Sequence, residues 1–207
     1  MKITIISSSM RRESQTNKIG KTIKVLLDRK AISENIPLES VHVDLVSYGL
    51  PFFDDTIEDT PELQSLWKPL SEHLATSDGF VFITPEWNGT ASPMLKNFFM
   101  YVDTELAHKP ALLVSTTANA TNGAYPIAEL RSGSYKNTHI IYIPHHVIVR
   151  NVNTVCNSDI PNQESKEDVS IHGKITHSLD ELITYATYLS QMRAEKPFDL
   201  EKFPYGM

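Results

Sequence analysis

Short, uninterrupted apolar runs alternate with segments of helical periodicity along most of the chain. Ile3–Ser7 (ITIIS) predicts a strand that runs into a polar loop, and Lys18–Arg29 after it sets Ile19, Ile23, Leu26 and Leu27 on one helical face. Val41–Val46 (VHVDLV) predicts a second strand, ended by Gly49-Leu50-Pro51. Pro61 opens a helix through about Ala75, with Leu63, Leu66, Trp67, Leu70 and Leu74 on one side. Gly79–Ile83 (GFVFI) is apolar throughout, as a strand is when both faces of its sheet are covered. Over Pro93–Leu106 the inward positions are Leu95, Phe98, Phe99, Val102 and Leu106, with Ser92 as N-cap and proline at the first helical position. Ala111–Val114 and His139–Val149 predict two more strands around a helix at Ala124–Ser134. The polar residues 151–170 predict a loop, and Ile175–Met192 a last amphipathic helix.

The order is therefore β-α repeated five times with short connections. Such alternation implies an α/β three-layer sandwich, a parallel sheet covered by helices on both faces through right-handed crossovers. Five strands favour the flavodoxin-like order 2-1-3-4-5. Residues 1–194 then make one domain, and 195–207, with two prolines and two phenylalanines, a C-terminal arm.

Composition narrows the function. A length of 207 residues suits one domain and buries enough surface to need no disulfide or metal for its core. A net charge of −6 argues against a protein that grips a nucleic-acid backbone. No run reaches the length of a bilayer span, and the N-terminal apolar run is too short for a signal peptide, so a cytoplasmic protein with no membrane partner is expected. The single cysteine, Cys156, excludes an internal disulfide and has no acid–base partner near it in sequence.

In an open α/β sheet of this order, ligands sit beyond the carboxyl ends of the strands, where the loops after strands one, three and four gather. The first of these, Ser7–Lys18 (SSSMRRESQTNK), joins a strand to a helix start and surrounds an arginine with hydroxyls. That suits a phosphate monoester, and equally an ordinary capped surface loop, since the glycines of a nucleotide fingerprint are missing. The second loop, TPEWNGT from Thr84, sets a large indole beside a carboxylate in a Pro-Asn-Gly turn. Trp87 offers a flat wall for a planar heteroaromatic ring; it could also simply pack on a neighbouring helix, with Glu86 solvated or tying down a nearby loop or a second subunit. The third, Ser115–Gly123 (STTANATNG), is small and polar, and fits either the other side of a ring or a passive connection.

These loops carry a family resemblance. Ser9-Met10-Arg11-Arg12-Glu13-Ser14-Gln15-Thr16 follows the form Ser-x-Arg-x-x-Ser-x-(Asn/Thr), and Pro85-Glu86-Trp87-Asn88-Gly89 followed by Leu95-Lys96-Asn97 follows Pro-Glu-Tyr-Asn … Leu-Lys-Asn. Over roughly residues 1–150 the chain resembles the NADPH-dependent FMN reductase family of flavodoxin-like flavoproteins, which includes quinone, azo-dye and chromate reductases. The resemblance implies that Ser9, Arg11, Ser14, Gln15 and Thr16 hold the FMN phosphate. It implies too that Pro85, Glu86, Trp87, Asn88 and Gly89 cradle the isoalloxazine, with Ser115 and Thr117 in the third loop. An enzyme is expected that moves hydride from NADPH or NADH onto FMN and passes electrons to free flavin, a quinone or a similar small acceptor. A homodimer or homotetramer is implied as well, with the helices around 62–77 and 93–107 apolar enough to bury a shared face. The chain departs from the family at Ser8-Ser9 in place of Gly-Ser, at Trp87 in place of tyrosine, and in the third loop, where Ser115-Thr116-Thr117-Ala118-Asn119 replaces a glycine-rich run.

Other chemistries are poorly supported. No Gly-x-Ser-x-Gly elbow or His-Glu-x-x-His pair occurs. His145 and His146 are adjacent on a predicted strand and point to opposite faces, and His172 and His177 are five apart, so no metal site is expected. The rival readings are a non-enzymatic FMN electron carrier and a flavin-binding sensor. A Thr-rich phosphate loop and a strongly acidic surface, which the carrier would favour, are absent from the sequence.

Overall fold

The computed structural model describes residues 1–55 and 60–202. In chain order the elements are β1 (Lys2–Ser7), α1 (Gln15–Ser33), β2 (Glu39–Asp44), α2 (Leu45–Tyr48), α3 (Pro61–Ala75), β3 (Gly79–Pro85), α4 (Pro93–Tyr101), β4 (Pro110–Thr116), α5 (Ala124–Gly133), β5 (Ile141–Val149) and α6 (Lys166–Glu195). The strands form one parallel sheet in the order β2-β1-β3-β4-β5, the flavodoxin-like arrangement expected from the alternation.

Period-two alternation sorts the strand side chains between two cores. Ile3, Ile5, Val81, Ile83, Leu112 and Val114 face α1 and α6, where Ile19, Ile23, Ile175 and Leu182 complete one cluster. Ile6, Phe80, Phe82, Ala111 and Leu113 face the other way, against Leu70 and Leu74 of α3, Leu95 and Phe98 of α4, and Ile127 and Leu130 of α5. Because both faces are covered, every residue of β4 is buried, and only Pro85 of β3 is partly exposed.

Several element boundaries differ from the sequence reading, each for a local reason. Leu45 and Val46 leave the second strand, since β1 ends at Ser7 opposite Asp44 and offers no further partner; they make one helical turn instead. The fourth helix stops at Tyr101, short of Leu106, because Glu105 accepts the Asp103 amide at 2.8 Å and the Ser71 hydroxyl at 2.6 Å and so holds a turn. Val102 and Leu106 stay buried in that turn, which is why their spacing looked helical. The fifth strand begins at Ile141 because His139 is in the left-handed region at φ 51°. The last helix begins nine residues earlier than expected, at Lys166, where Ser165 accepts the Asp168 amide at 3.2 Å and Glu167 and Asp168 meet the positive end of the helix. That helix runs through Glu195, the residue at which the arm was expected to start. Of the arm, Phe198 stacks on His108 with ring centroids 3.8 Å apart, and 203–207 lie outside the described residues. Among the described residues no helix is long and apolar enough to cross a membrane.

Candidate functional site

The sheet reverses its order beside β1, and the loops at the carboxyl ends of β1, β3, β4 and β5 meet there. The loop after β1 is sewn to β3: the Ser8 amide and hydroxyl both donate to the Ile83 carbonyl, at 3.1 and 2.8 Å. Ser9 Oγ accepts the Arg11 amide at 3.1 Å, and Ser14 caps α1 by accepting the Asn17 amide at 3.1 Å. The amides ahead of that one, on Gln15 and Thr16, begin a helix whose geometry offers them no partner. With the hydroxyls of Ser14 and Thr16 2.9 Å apart at the same helix start, this is a ready anion site.

The loop after β3 answers why Trp87 sits among turn residues. Trp87 and Thr90 exchange backbone hydrogen bonds of 3.1 and 2.9 Å, and Asn88 and Gly89 between them have φ of 50° and 75°. Two central residues at positive φ make a primed turn, for which Asn-Gly is the preferred pair. The turn is clamped behind the indole: the Ser92 amide donates to Thr84 Oγ1 at 2.8 Å, and the Ala91 amide to Glu129 at 2.6 Å. Burial alone would raise the Glu129 carboxyl; its bonds to Lys96 and the Ala91 amide outweigh that and hold it below its usual range. Glu86 is spent on structure, since its carboxylate accepts the Gly123 amide and its own amide donates to the Thr116 carbonyl at 3.0 Å.

The loops after β4 and β5 are laced together. The Thr117 amide donates to the Val149 carbonyl at 3.0 Å, and the Val152 amide to the Thr117 carbonyl at 3.1 Å. Arg150 Nε donates to the Asn122 carbonyl at 2.9 Å, just before Gly123 opens α5 at φ 108°, where a Cβ would run into Ile148.

Together the loops enclose a cleft of about 590 Å³, in the range that holds cofactor-sized ligands. Of the residues expected to hold the cofactor, Ser9, Arg11, Ser14, Gln15, Thr16, Pro85, Glu86, Trp87, Asn88, Gly89 and Thr117 all line it. Ser115 does not: it lies inside β4, fully buried, opposite Thr84. Glu13, Thr116, Ala118, Asn119, Asn122, Val152 and Asn153 also line the cleft. Val152 and Asn153 follow β5, whose carboxyl end reaches the same edge, so the topology itself carried the signal for them. The Arg11 guanidinium lies 4.6 Å from the centroid of the Trp87 ring, a cation–π contact that joins the first loop to the second. Cys156 takes no part: it is buried, and burial, reinforced by Asp168 against the opposing Lys18, pushes its thiol up to about 12.

The model of the NADPH-dependent FMN reductase family matches residues 1–154, and the chain belongs to that family. Two quinone reductases of Pseudomonas putida are each 28% identical over 127 residues, which is 58% of this chain and 62% of theirs. The match thus spans less than two thirds of those relatives. Among solved structures, an oxidoreductase from Corynebacterium diphtheriae superposes with a TM-score of 0.72 at 17% identity, covering 90% of this chain and 97% of that one. FerB, a flavoenzyme NAD(P)H:(acceptor) oxidoreductase from Paracoccus denitrificans, superposes at 0.61 with 18% identity over 90% and 97%. An FMN-dependent NADH-azoreductase from Bacillus anthracis, solved with FMN, superposes at 0.58 with 15% identity over 88% and 99%. At these identities the structures speak for the fold.

Proposed function

We propose that the chain is an oxidoreductase that holds FMN in this cleft and carries reducing equivalents from NADPH or NADH to a small acceptor such as free flavin or a quinone. The observation that supports it most is the meeting, in one cleft, of an anion-ready helix start with an indole-walled turn. The donor set suits the cofactor. The hydroxyls of Ser9, Ser14 and Thr16, the first amides of α1 and the Arg11 charge match a phosphate, and Trp87 and the 116–119 segment offer walls for a planar ring. When bound, FMN supplies the capacity to accept and return a hydride, which no side chain has.

What remains for the protein is orientation and exclusion. Pro85 and the primed turn fix the backbone of Trp87, and Glu86 ties that turn to the head of α5, so that two walls of the cleft move as one. Glu86 therefore acts as a brace, and the reaction calls on it for no proton.

Purified protein is expected to take up FMN, to show flavin absorbance, and to oxidise NADPH or NADH continuously only when a quinone or free flavin is supplied. FMN uptake without sustained nicotinamide oxidation would favour the electron carrier or the sensor. A colourless protein whose melting temperature excess FMN leaves unmoved would end the flavoprotein reading.

A further inference from the structure

The outer edge of the sheet carries a second constellation. Among the described residues β5 pairs only with β4, and its register slips: Ala111 faces Tyr142 and Leu113 faces His146, so Ile143, Pro144 and His145 stand opposite Leu112. Proline donates no ladder hydrogen bond, which is tolerable at an edge bulge. From the α5 side the bulge is pinned by Arg131, whose Nη2 donates to the carbonyls of Ile143, Pro144 and His145 at 2.6, 3.0 and 3.1 Å. On the opposite face, His145 has the same parity as the buried Ile143 and Val147 and points toward α6. There it meets His177 and Glu181, which are four apart on one face of that helix.

The spacing of the three groups is informative. Glu181 Oε2 lies 3.4 Å from His145 Nδ1, and Oε1 lies 3.5 Å from His177 Nε2. Charge-assisted hydrogen bonds are about 2.7–2.9 Å long, so neither contact is one. A tetrahedral cation with bonds of about 2.05 Å separates its ligands by about 3.3 Å; each nitrogen stands near that distance from a different oxygen of Glu181, so the carboxylate must turn to bring one oxygen to both. One donor atom from each residue can be chosen so that all three lie within 4.8 Å of one another. The His177 ring, its side chain 64% exposed, can swing to close the remaining edge. The neighbouring carboxylate, Asp180, is neutralised by Lys30 at 2.8 Å and is not needed as a ligand.

We propose that His145, His177 and Glu181 form a binding site for a borderline divalent transition metal, zinc in the first place, that staples α6 to the bulged edge strand. Two imidazoles and one carboxylate suit zinc and disfavour magnesium and calcium, which take oxygen ligands. Three protein ligands leave one position open to the hollow of about 740 Å³ beside them, where Tyr185 and Tyr188 lie. The site shares no residue with the flavin cleft, so metal and cofactor do not compete. The other cluster of metal-type ligands among the described residues, Cys156, Asp168 and His172, is already engaged: Asp168 accepts the amides of Cys156 and Asn162 at 2.6 and 2.7 Å.

The test is zinc titration of the purified, chelator-stripped full chain by calorimetry, with thermal melting alongside. One zinc per chain is expected to bind with micromolar affinity and raise the melting temperature, while magnesium and calcium do neither. His145→Ala, His177→Ala and Glu181→Gln should each weaken binding roughly tenfold or more. Cobalt(II) bound in place of zinc should give a spectrum without the thiolate charge-transfer band. Undiminished binding by a His145→Ala, His177→Ala double variant, a thiolate band with cobalt, or no saturable binding at micromolar zinc would each overturn the proposal.

Discussion

Asn88 and Gly89, both at positive φ, aim the Trp87 indole across the cleft toward Arg11, so the short stretch around the indole works as a mount. If Arg11 serves the phosphate as proposed, Arg11→Ala should weaken FMN binding by roughly 1.5–3 kcal/mol, the worth of a hydrogen bond to a charged group, and leave riboflavin nearly unaffected. An equal loss for both ligands would assign Arg11 to the indole alone. Trp87→Ala should keep phosphate recognition and change the rate of flavin reduction or the choice of acceptor, a discrimination worth about 1–3 kcal/mol; stopped-flow reduction by NADPH reads it. Gly123→Ala is the sharper structural probe. Its φ of 108° and the nearness of Ile148 leave no room for a methyl group, and its amide is the one Glu86 holds. A loss of about 1–3 kcal/mol in unfolding free energy is expected, together with weaker FMN binding. Melting unchanged from the parent would show that the turn at Gly123 accommodates a side chain beside Ile148.

Elements were legible where one pattern acted alone. The unbroken apolar runs of β3 and β4 named buried central strands, and Ser92-Pro93 named the start of α4. They failed where a side chain far along the chain decided the backbone. The first turns of α6 were hidden because their polar residues serve a loop: Asp168 is buried to hold the amides of Cys156 and Asn162. The lining of the cleft was legible in the motifs at strand ends, save at Ser115, which belongs to the ladder of β4. The start of α1 depends on a link no periodicity encodes. Asp44 of β2 accepts from Asn17 and from Ser7 Oγ, the latter at 3.1 Å, and Ser7 Oγ lies 3.0 Å from His42 Nε2. Burial lowers the His42 pKa, and Lys21 and Lys24 add to this against the opposing pull of Asp44. A folded value below the unfolded one means that the unfolded chain binds the extra proton first. His42 therefore contributes stability that is present above the unfolded value of about 6.5 and is lost as pH falls through the lowered folded value. His73, His108 and His146 are lowered by burial too and act in the same direction. Denaturation midpoints should drop as pH falls below about 6.5, and His42→Gln should flatten part of that slope. A His42→Gln profile as steep as the parent's would remove His42 from the account.

At the scale of the whole molecule, the sheet is closed over by helices, yet one flank keeps apolar surface in water. Phe52 and Met100 are 82% and 59% exposed. They lie on neighbouring segments, because Asn97 of α4 accepts the Phe53 amide at 2.8 Å and donates to the Pro51 carbonyl at 2.7 Å, fixing the 51–53 segment against that helix. Beneath them Phe53, Tyr101 and Trp67 form a ladder of ring contacts at 5.3 and 5.5 Å, so the exposed pair stands on a stiff base. A rigid apolar face is what a self-complementary interface uses, and two-fold pairing is the commonest closed assembly. The expected state is a C2 dimer built on α3 and α4, which pairing again would make a tetramer. Light scattering at micromolar concentration should give twice the chain mass or a multiple of it. Phe52→Glu with Met100→Glu should shift that mass toward the monomer by placing like charges face to face across the axis, with the helical circular-dichroism signal retained. A parent protein that scatters only as a monomer, or a double variant that assembles as the parent does, would remove this face as the interface.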